Sequence, residues 1–213
     1  MKQQIRYALG EILIVIVGIS IAFSLNKCAE TKNNEAQKSL YLKSLREDIK
    51  VDKKNLEQNL KEINAKIETL NKIIPLINTD SPEKIKLRQQ LFGTFNISEF
   101  YPNDITYQTM VNSGDFKLIN EFKLKTAIEK HYASYRSILQ DYSRQENIHK
   151  EFLSNYMVNH ANYDDMKKGN FGFNNEALFK NILQSMNGSF RIKKQATIRG
   201  IKNCDSLLVI LNN

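Results

Sequence analysis

Three histidines, two cysteines and one carboxylate inside an apolar run are the side chains whose type and spacing invite chemistry. His131 and His149 stand 18 residues apart, five full helical turns. They share a helix face but lie about 27 Å apart along the axis, so one ion cannot reach both. His160 with Asp164 and Asp165 is the local group of metal-ligand types. It falls where a helix frays into a loop, and Asn and Asp crowd that stretch as turn formers. Metal binding is not expected there, and no cofactor is implied. HExxH, P-loop, GxSxG, CxxC and Gly-rich fingerprints are missing, and no Ser or Cys has a base beside it in sequence. No catalytic residue is assigned. Cys28 and Cys204 are too far apart in sequence to read as a disulfide framework. A bridge between them, or between two copies of Cys28, remains open at this stage.

The sharpest constellation is Glu11, Gly18 and Ala22, separated by seven and four residues. At 100° per residue they fall within about 40° of one another on one helix face. Gly18-x-x-x-Ala22 is a small-xxx-small pair, which lets two helix backbones approach closely. A carboxylate inside a membrane span usually faces a protein partner. This face is a candidate for self-association or for a membrane-protein partner. The alternative is that Glu11 sits near the headgroups, where the helix N-terminal dipole favours a negative charge.

The element that positions this face is Tyr7 to Leu25, apolar except for Glu11. Its 19 residues reach about 28 Å as a helix, matching a hydrocarbon core of about 30 Å. Three readings compete. A secretory signal would use Lys2 and Arg6 as its basic start and Ala22-Phe23-Ser24 as its cleavage site. A lipoprotein signal needs a small residue before the modified cysteine, and Lys27 precedes Cys28. We favour an uncleaved anchor, because the run extends to Leu25 and Glu11 interrupts it. The flanks carry Lys2 and Arg6 on one side and Lys27, Lys32, Lys38 and Lys43 on the other, so charge counting does not settle orientation. A short head before a long tail favours the head inside. The expected organisation is a cytoplasmic head at 1–6, a transmembrane helix at 7–25 and an extracytoplasmic all-α domain at 26–213, on the cell membrane.

About 188 residues follow the anchor, enough for a domain with its own core. From about Thr31 to Ile74 the chain lacks Gly and Pro and reads as one helix. Leu56, Leu60, Ile63, Ile67, Leu70, Ile74 and Ile77 alternate steps of four and three. This seam suits a parallel dimeric coiled coil or a long helix of an intramolecular bundle. We favour the bundle, because upstream the seam runs into Lys53 and Arg46. Pro75 ends or kinks the helix. Ser81-Pro82 starts a short helix to about Phe92, stopped by Gly93. Phe95 to Pro102 is an aromatic-rich loop. Asp104 caps a helix through Asn112, with Gly114 as its left-handed terminator. Asn120 caps a long helix to about Asn159, whose apolar face holds Leu124, Ile128, Tyr132, Tyr135, Leu139, Tyr142, Ile148 and Phe152. Lys168-Gly169-Asn170 is a loop. Asn174 or Asn175 opens a helix to Met186, Asn187-Gly188 breaks it, and Ser189 begins a last helix to Leu211. Period-two alternation is not sustained anywhere, so the class is all-α: one N-terminal transmembrane helix plus an elongated helical bundle.

The net charge is +8, and removing Lys2, Arg6 and Glu11 leaves +7 on the rest. Lys180, Arg191, Lys193, Lys194, Arg199 and Lys202 form a basic run with no acidic residue among them. It could meet phosphates of lipid or nucleic acid, but a solvated helix face is the plainer reading. A domain outside the cytoplasm rarely meets nucleic acid, so that partner is not expected.

Tyr7-Ala8-Leu9-Gly10-Glu11-Ile12, followed by Ile16-Val17-Gly18-Ile19-Ser20-Ile21-Ala22 and the Leu25-Asn26 exit, resembles the DUF6090 family of small bacterial membrane proteins. Tyr107-Gln108-Thr109-Met110-Val111-Asn112-Ser113-Gly114, then Leu118-Ile119 and Leu124, is similar as well. The family usually carries a Trp about where Cys28 stands and often a longer basic head. The resemblance implies a single-pass anchor with a helical extracytoplasmic domain, and no activity, substrate or catalytic residue. The expected role is a non-catalytic sensor-like, scaffolding or interaction module of the bacterial envelope, with the lipid bilayer as its partner. The alternatives are an envelope enzyme whose site assembles only in three dimensions, and a secreted helical protein. A buried polar cluster beside a cleft would favour the enzyme; a featureless core would favour the module.

Overall fold

A computed structural model describes the backbone of residues 2–212 and the side chains of residues 10, 11 and 13–212. The side chains of Lys2, Arg6, Tyr7 and Ile12, which enter the reading of the basic head and of the start of the span, lie outside the described residues. The order is α1 (Lys2–Ile73), a 3-10 turn (Ile74–Leu76), α2 (Glu83–Lys86), α3 (Arg88–Gly93), α4 (Ile105–Asn112), a 3-10 turn (Asp115–Leu118), α5 (Phe122–Ile148), a π turn (His149–Leu153), α6 (Ser154–His160), α7 (Tyr163–Lys167) and α8 (Glu176–Asn212). The fold is all-α, and among the described residues no strand forms. An isolated bridge joins Ala161 and Phe173.

Two compact units divide the chain. The first holds Met1–Leu45 and Thr106–Asn120. The described side chains of its apolar stretch from Leu13 to Leu25 are all exposed: Leu13, Ile14, Ile19 and Phe23 are 64, 71, 65 and 68 % exposed. Further along α1, Gln37 Nε2 and the Tyr41 hydroxyl both donate to Asp115 Oδ2, at 2.9 and 2.8 Å. The hydrogen bond from Tyr41 first, and that with Ser113 second, hold the Asp115 carboxyl below its ordinary range. Gly114 takes φ 77°, the left-handed turn expected of it, and Tyr107 meets Phe116 edge-on at 5.6 Å.

The second unit holds Arg46–Ile105 and Glu121–Asn213. Here α1 buries Ile49, Asp52, Leu56, Asn59, Ile63, Lys66, Leu70 and Ile73, and the chain beyond it buries Ile77. The steps are again four and three, but Asn59, Lys66 and Ile73 take the inner positions predicted for Leu60, Ile67 and Ile74. Those three apolar residues are half-buried instead. Interior hydrogen bonds, described below, hold Asn59 and Lys66 inward. Leu56 and Ile63 are consumed by this bundle, so the seam packs within the chain.

Three further expectations are corrected. Glu121, rather than Asn120, occupies the N-cap of α5. Ile138 is buried where Leu139 was predicted, three rather than four residues after Tyr135. Leu153 is buried and Phe152 exposed, because the π turn inserts one residue and advances the inward face. The largest difference is α8, which runs through Asn187-Gly188 without a break. A helical glycine costs about 1 kcal/mol. Burying Met186, Phe190 and the rest of one face outweighs it. Gly200 lets the helices approach closely: a Cβ there would sit 2.9 Å from Leu56 Cδ1 and 3.2 Å from Ile138 Cδ1.

Candidate functional site

The interior of the second unit carries three layers of polar side chains along α1, spaced seven residues apart at Asp52, Asn59 and Lys66. Each faces partners on the Phe95–Pro102 segment, α5 or α8. That segment has no regular ladder of its own, so its buried backbone groups need side-chain partners. The α1 polar residues supply them.

Asp52 is fully buried. Its Oδ1 accepts from the backbone N and the Nδ2 of Asn103, at 2.9 and 2.7 Å. Its Oδ2 accepts from the Tyr135 hydroxyl at 2.6 Å. His131 Nε2 lies 2.8 Å from the same hydroxyl. With the phenol proton aimed at the carboxylate, the phenol oxygen accepts, so the network assigns the imidazole proton to Nε2. Burial pushes His131 down to about 4, which keeps it neutral. Burial first, then the neighbouring Cys204 and Asp52, pushes Tyr135 up. Cys204 Sγ lies 3.9 Å from the Tyr135 hydroxyl, and burial pushes this thiol up to about 12. A thiol held so high is a poor nucleophile.

In the middle layer Asn59 Nδ2 donates to the Glu99 carbonyl at 2.8 Å. The Tyr142 hydroxyl donates to Thr197 Oγ1 at 2.7 Å, while Thr197 donates to the Lys193 carbonyl at 2.8 Å. The third layer holds two lysines. Lys66 Nζ donates to the Asn96 carbonyl at 2.6 Å and to Ser98 Oγ at 2.8 Å, and Ser98 Oγ donates on to Glu62 Oε2 at 3.0 Å. Lys193, fully buried on α8, donates to the Ser98 carbonyl and, at 2.5 Å, to Gln145 Oε1. Its Nζ lies 4.3 Å from the centre of the Tyr142 ring. Burial first, and Lys66 second, pushes Lys193 down to about 7. Burial also lowers Lys66. Cavities border the outer layers, about 320 Å³ beside His131, 310 Å³ beside Lys193 and 440 Å³ beside Lys66.

The sequence candidates are placed elsewhere or do not converge. Glu11, Gly18 and Ala22 are exposed on α1 in the first unit, and a Cβ on Gly18 would meet nothing within 4 Å. His149 Nδ1 pairs with the Gln145 carbonyl at 2.8 Å. His160 packs against the Tyr156 ring, Asp164 pairs with Lys167 at 3.0 Å, and Asp165 accepts from Asn170 Nδ2 at 2.6 Å. Among the described residues no group of three or more His, Cys, Asp or Glu side chains converges on one point. Cys28 is an exposed free thiol and Cys204 a buried one, so the bridge between them is not formed. The basic run is dispersed: Arg199 pairs with Asp141 at 2.7 Å, Arg191 reaches Asn71 at 3.3 Å, and Lys193 points inward. Sequence reading missed Asp52, Asn59, Lys66, Gln145 and Lys193. The available signal was three polar residues at a seven-residue period, in phase with Leu45, Leu56, Ile63 and Leu70 rather than against them.

An all-α chain with an unpacked apolar N-terminal segment and a helical bundle is therefore the class of protein on hand. It belongs to the family of unknown function DUF6090, whose sequence model matches residues 11–189. The matched range contains the apolar segment from Glu11 onward, the Asp52–Asn59–Lys66 series and α5, and ends before Lys193. No curated protein and no solved structure matches the chain.

Proposed function

We propose that the protein is a membrane-anchored, non-catalytic helical module of the bacterial envelope, held by residues 7–25 with the rest of the chain outside the cytoplasm. One observation carries this reading. From Leu13 to Leu25 every described side chain is exposed on a helix long and apolar enough to cross a bilayer. Such a surface is stable in lipid and costly in water: each large aliphatic side chain left in water forfeits about 1.5–3 kcal/mol. The polar interior is compatible with a structural role, because nearly all of its groups satisfy one another. Half-satisfied polar networks destabilise a core, whereas fully paired ones fix a unique packing. The exposed face of Glu11, Gly18 and Ala22 is the proposed contact for a second copy or a membrane-protein partner.

The deciding experiment is sodium carbonate extraction of membranes followed by high-speed sedimentation. The full chain is expected in the pellet; recovery in the supernatant discards the anchor and the role built on it. For the helix face, a membrane association reporter is expected to weaken with Glu11→Gln or Gly18→Leu. Unchanged association in both removes that contact.

A further inference from the structure

The third polar layer contains a feature that structural packing does not require. Lys193 ends in the interior with no carboxylate at ion-pair distance, held by two neutral acceptors, the Ser98 carbonyl and Gln145 Oε1. Its neighbour Lys66 is buried beside it and shares Ser98 with it. Two like charges in one layer disfavour each other, and burial disfavours both. Two acceptors also match the two N–H bonds of a neutral amine. The same side chain lines a cavity of about 310 Å³ whose wall is apolar at Ile97, Phe100 and Leu139 and carboxylate-bearing at Glu99 and Glu146.

We propose that Lys193 is a nucleophilic amine that captures a small uncharged aldehyde in this cavity as an imine. The amine nitrogen attacks the aldehyde carbon, the carbonyl pair moves to oxygen, and one proton passes from that nitrogen to that oxygen. The nitrogen of the resulting carbinolamine then loses its proton as hydroxide leaves, protonated to water. The products are the imine and one water, with no change of oxidation state. Glu146, on the cavity wall, is the proton shuttle for the carbinolamine. The apolar wall accepts a hydrocarbon or aromatic tail, while Glu99 and Glu146 repel keto acids. Deprotonation near neutral pH supports the chemistry, since burial brings Lys193 down to about 7. An ordinary lysine at about 10.4 is almost wholly protonated there. The inference does not depend on the membrane reading.

The test uses the full chain in detergent with benzaldehyde and cyanoborohydride, which fixes any imine as a stable amine. Adducts are mapped by peptide mass spectrometry between pH 6 and pH 9. Lys193 is expected to label on the order of tenfold faster at pH 7 than exposed lysines such as Lys50, Lys72 and Lys150, with half-maximal labelling near neutral pH. Glyoxylate at the same concentration is expected to label Lys193 several-fold less than benzaldehyde does. Glu146→Gln, at a side chain whose ion pair is with surface Lys150, is expected to slow labelling several-fold without changing the circular dichroism spectrum. Label confined to exposed lysines overturns the proposal. So does equal labelling of Lys193 and Lys66 with no pH midpoint, and equal labelling of Lys193 by glyoxylate overturns the assigned class of ligand.

Discussion

Asp52 shows how a buried carboxyl group is kept by neutral donors. Three donors surround its oxygens, and one of them, Tyr135, is itself braced by His131. Tyr135→Phe removes the donor to Oδ2 and the acceptor for His131 together. The expected loss is about 1–3 kcal/mol, read as a lower urea midpoint with an unchanged slope. Buried bases make stability depend on pH: burial lowers Lys66, His131, His149 and Lys193, and two of these shifts have a defined span. Lys193 falls from 10.5 to about 7 on folding and His131 from 6.5 to about 4. In each case the unfolded chain takes up the proton first as the pH drops, so acidification favours unfolding. Lys193 removes stability as pH falls from about 10.5 to about 7, and His131 removes more between 6.5 and about 4. Urea midpoints measured from about pH 8.5 down to pH 7, below the range where the unfolded Cys204 thiol and the tyrosines ionise, are expected to decline in the native chain. In Lys193→Met that decline is expected to flatten; an identical slope removes Lys193 as its cause.

At the scale of elements, α8 gives the plainest lesson. Asn187-Gly188 has the composition of a helix break, yet one helix runs across it. A Cβ on Gly188 would meet nothing within 4 Å, and its φ is not left-handed. Gly188→Ala is therefore expected to stabilise the protein by about 0.4–1 kcal/mol, seen as a higher melting temperature. A true break would make the same change destabilising. Gly200 has the opposite environment, wedged against Leu56 and Ile138. Gly200→Leu is expected to cost about 1–3 kcal/mol by forcing the helices apart. Gly172 combines φ 70° with a Cβ position 2.2 Å from Met166 Cγ, so it tolerates no side chain.

At the scale of the whole molecule, the apolar segment and the free thiols make location measurable. Removal of residues 1–25 is expected to move the chain from the carbonate pellet to the supernatant. Cys28 follows the segment directly and is exposed, while Cys204 is buried. A membrane-impermeant maleimide applied to intact cells is expected to label Cys28 when the domain lies outside the cytoplasm, with Cys204 reacting only after denaturation. Labelling of Cys28 only after lysis reverses the proposed orientation.

Sequence alone determined the properties that depend on composition and period. The apolar run, the all-α class, the family, the left-handed Gly114 and the start of α8, read as Asn174 or Asn175 and found at Asn175, were legible, because each is a local consequence of side-chain hydropathy or backbone freedom. The core face of α1 was only half legible. Leu56, Ile63, Leu70 and Ile77 were read correctly, whereas Asn59 and Lys66 displaced Leu60 and Ile67 from the interior. Only the tertiary structure decided that, since a polar residue enters a core when partners distant in sequence satisfy it. Asn59 meets Glu99, Lys66 meets Asn96 and Ser98, and Lys193 meets Ser98 and Gln145. The seven-residue period of Asp52, Asn59 and Lys66 says nothing of these distant partners, so the pairing, and the amine within it, emerged only when the helices were packed together.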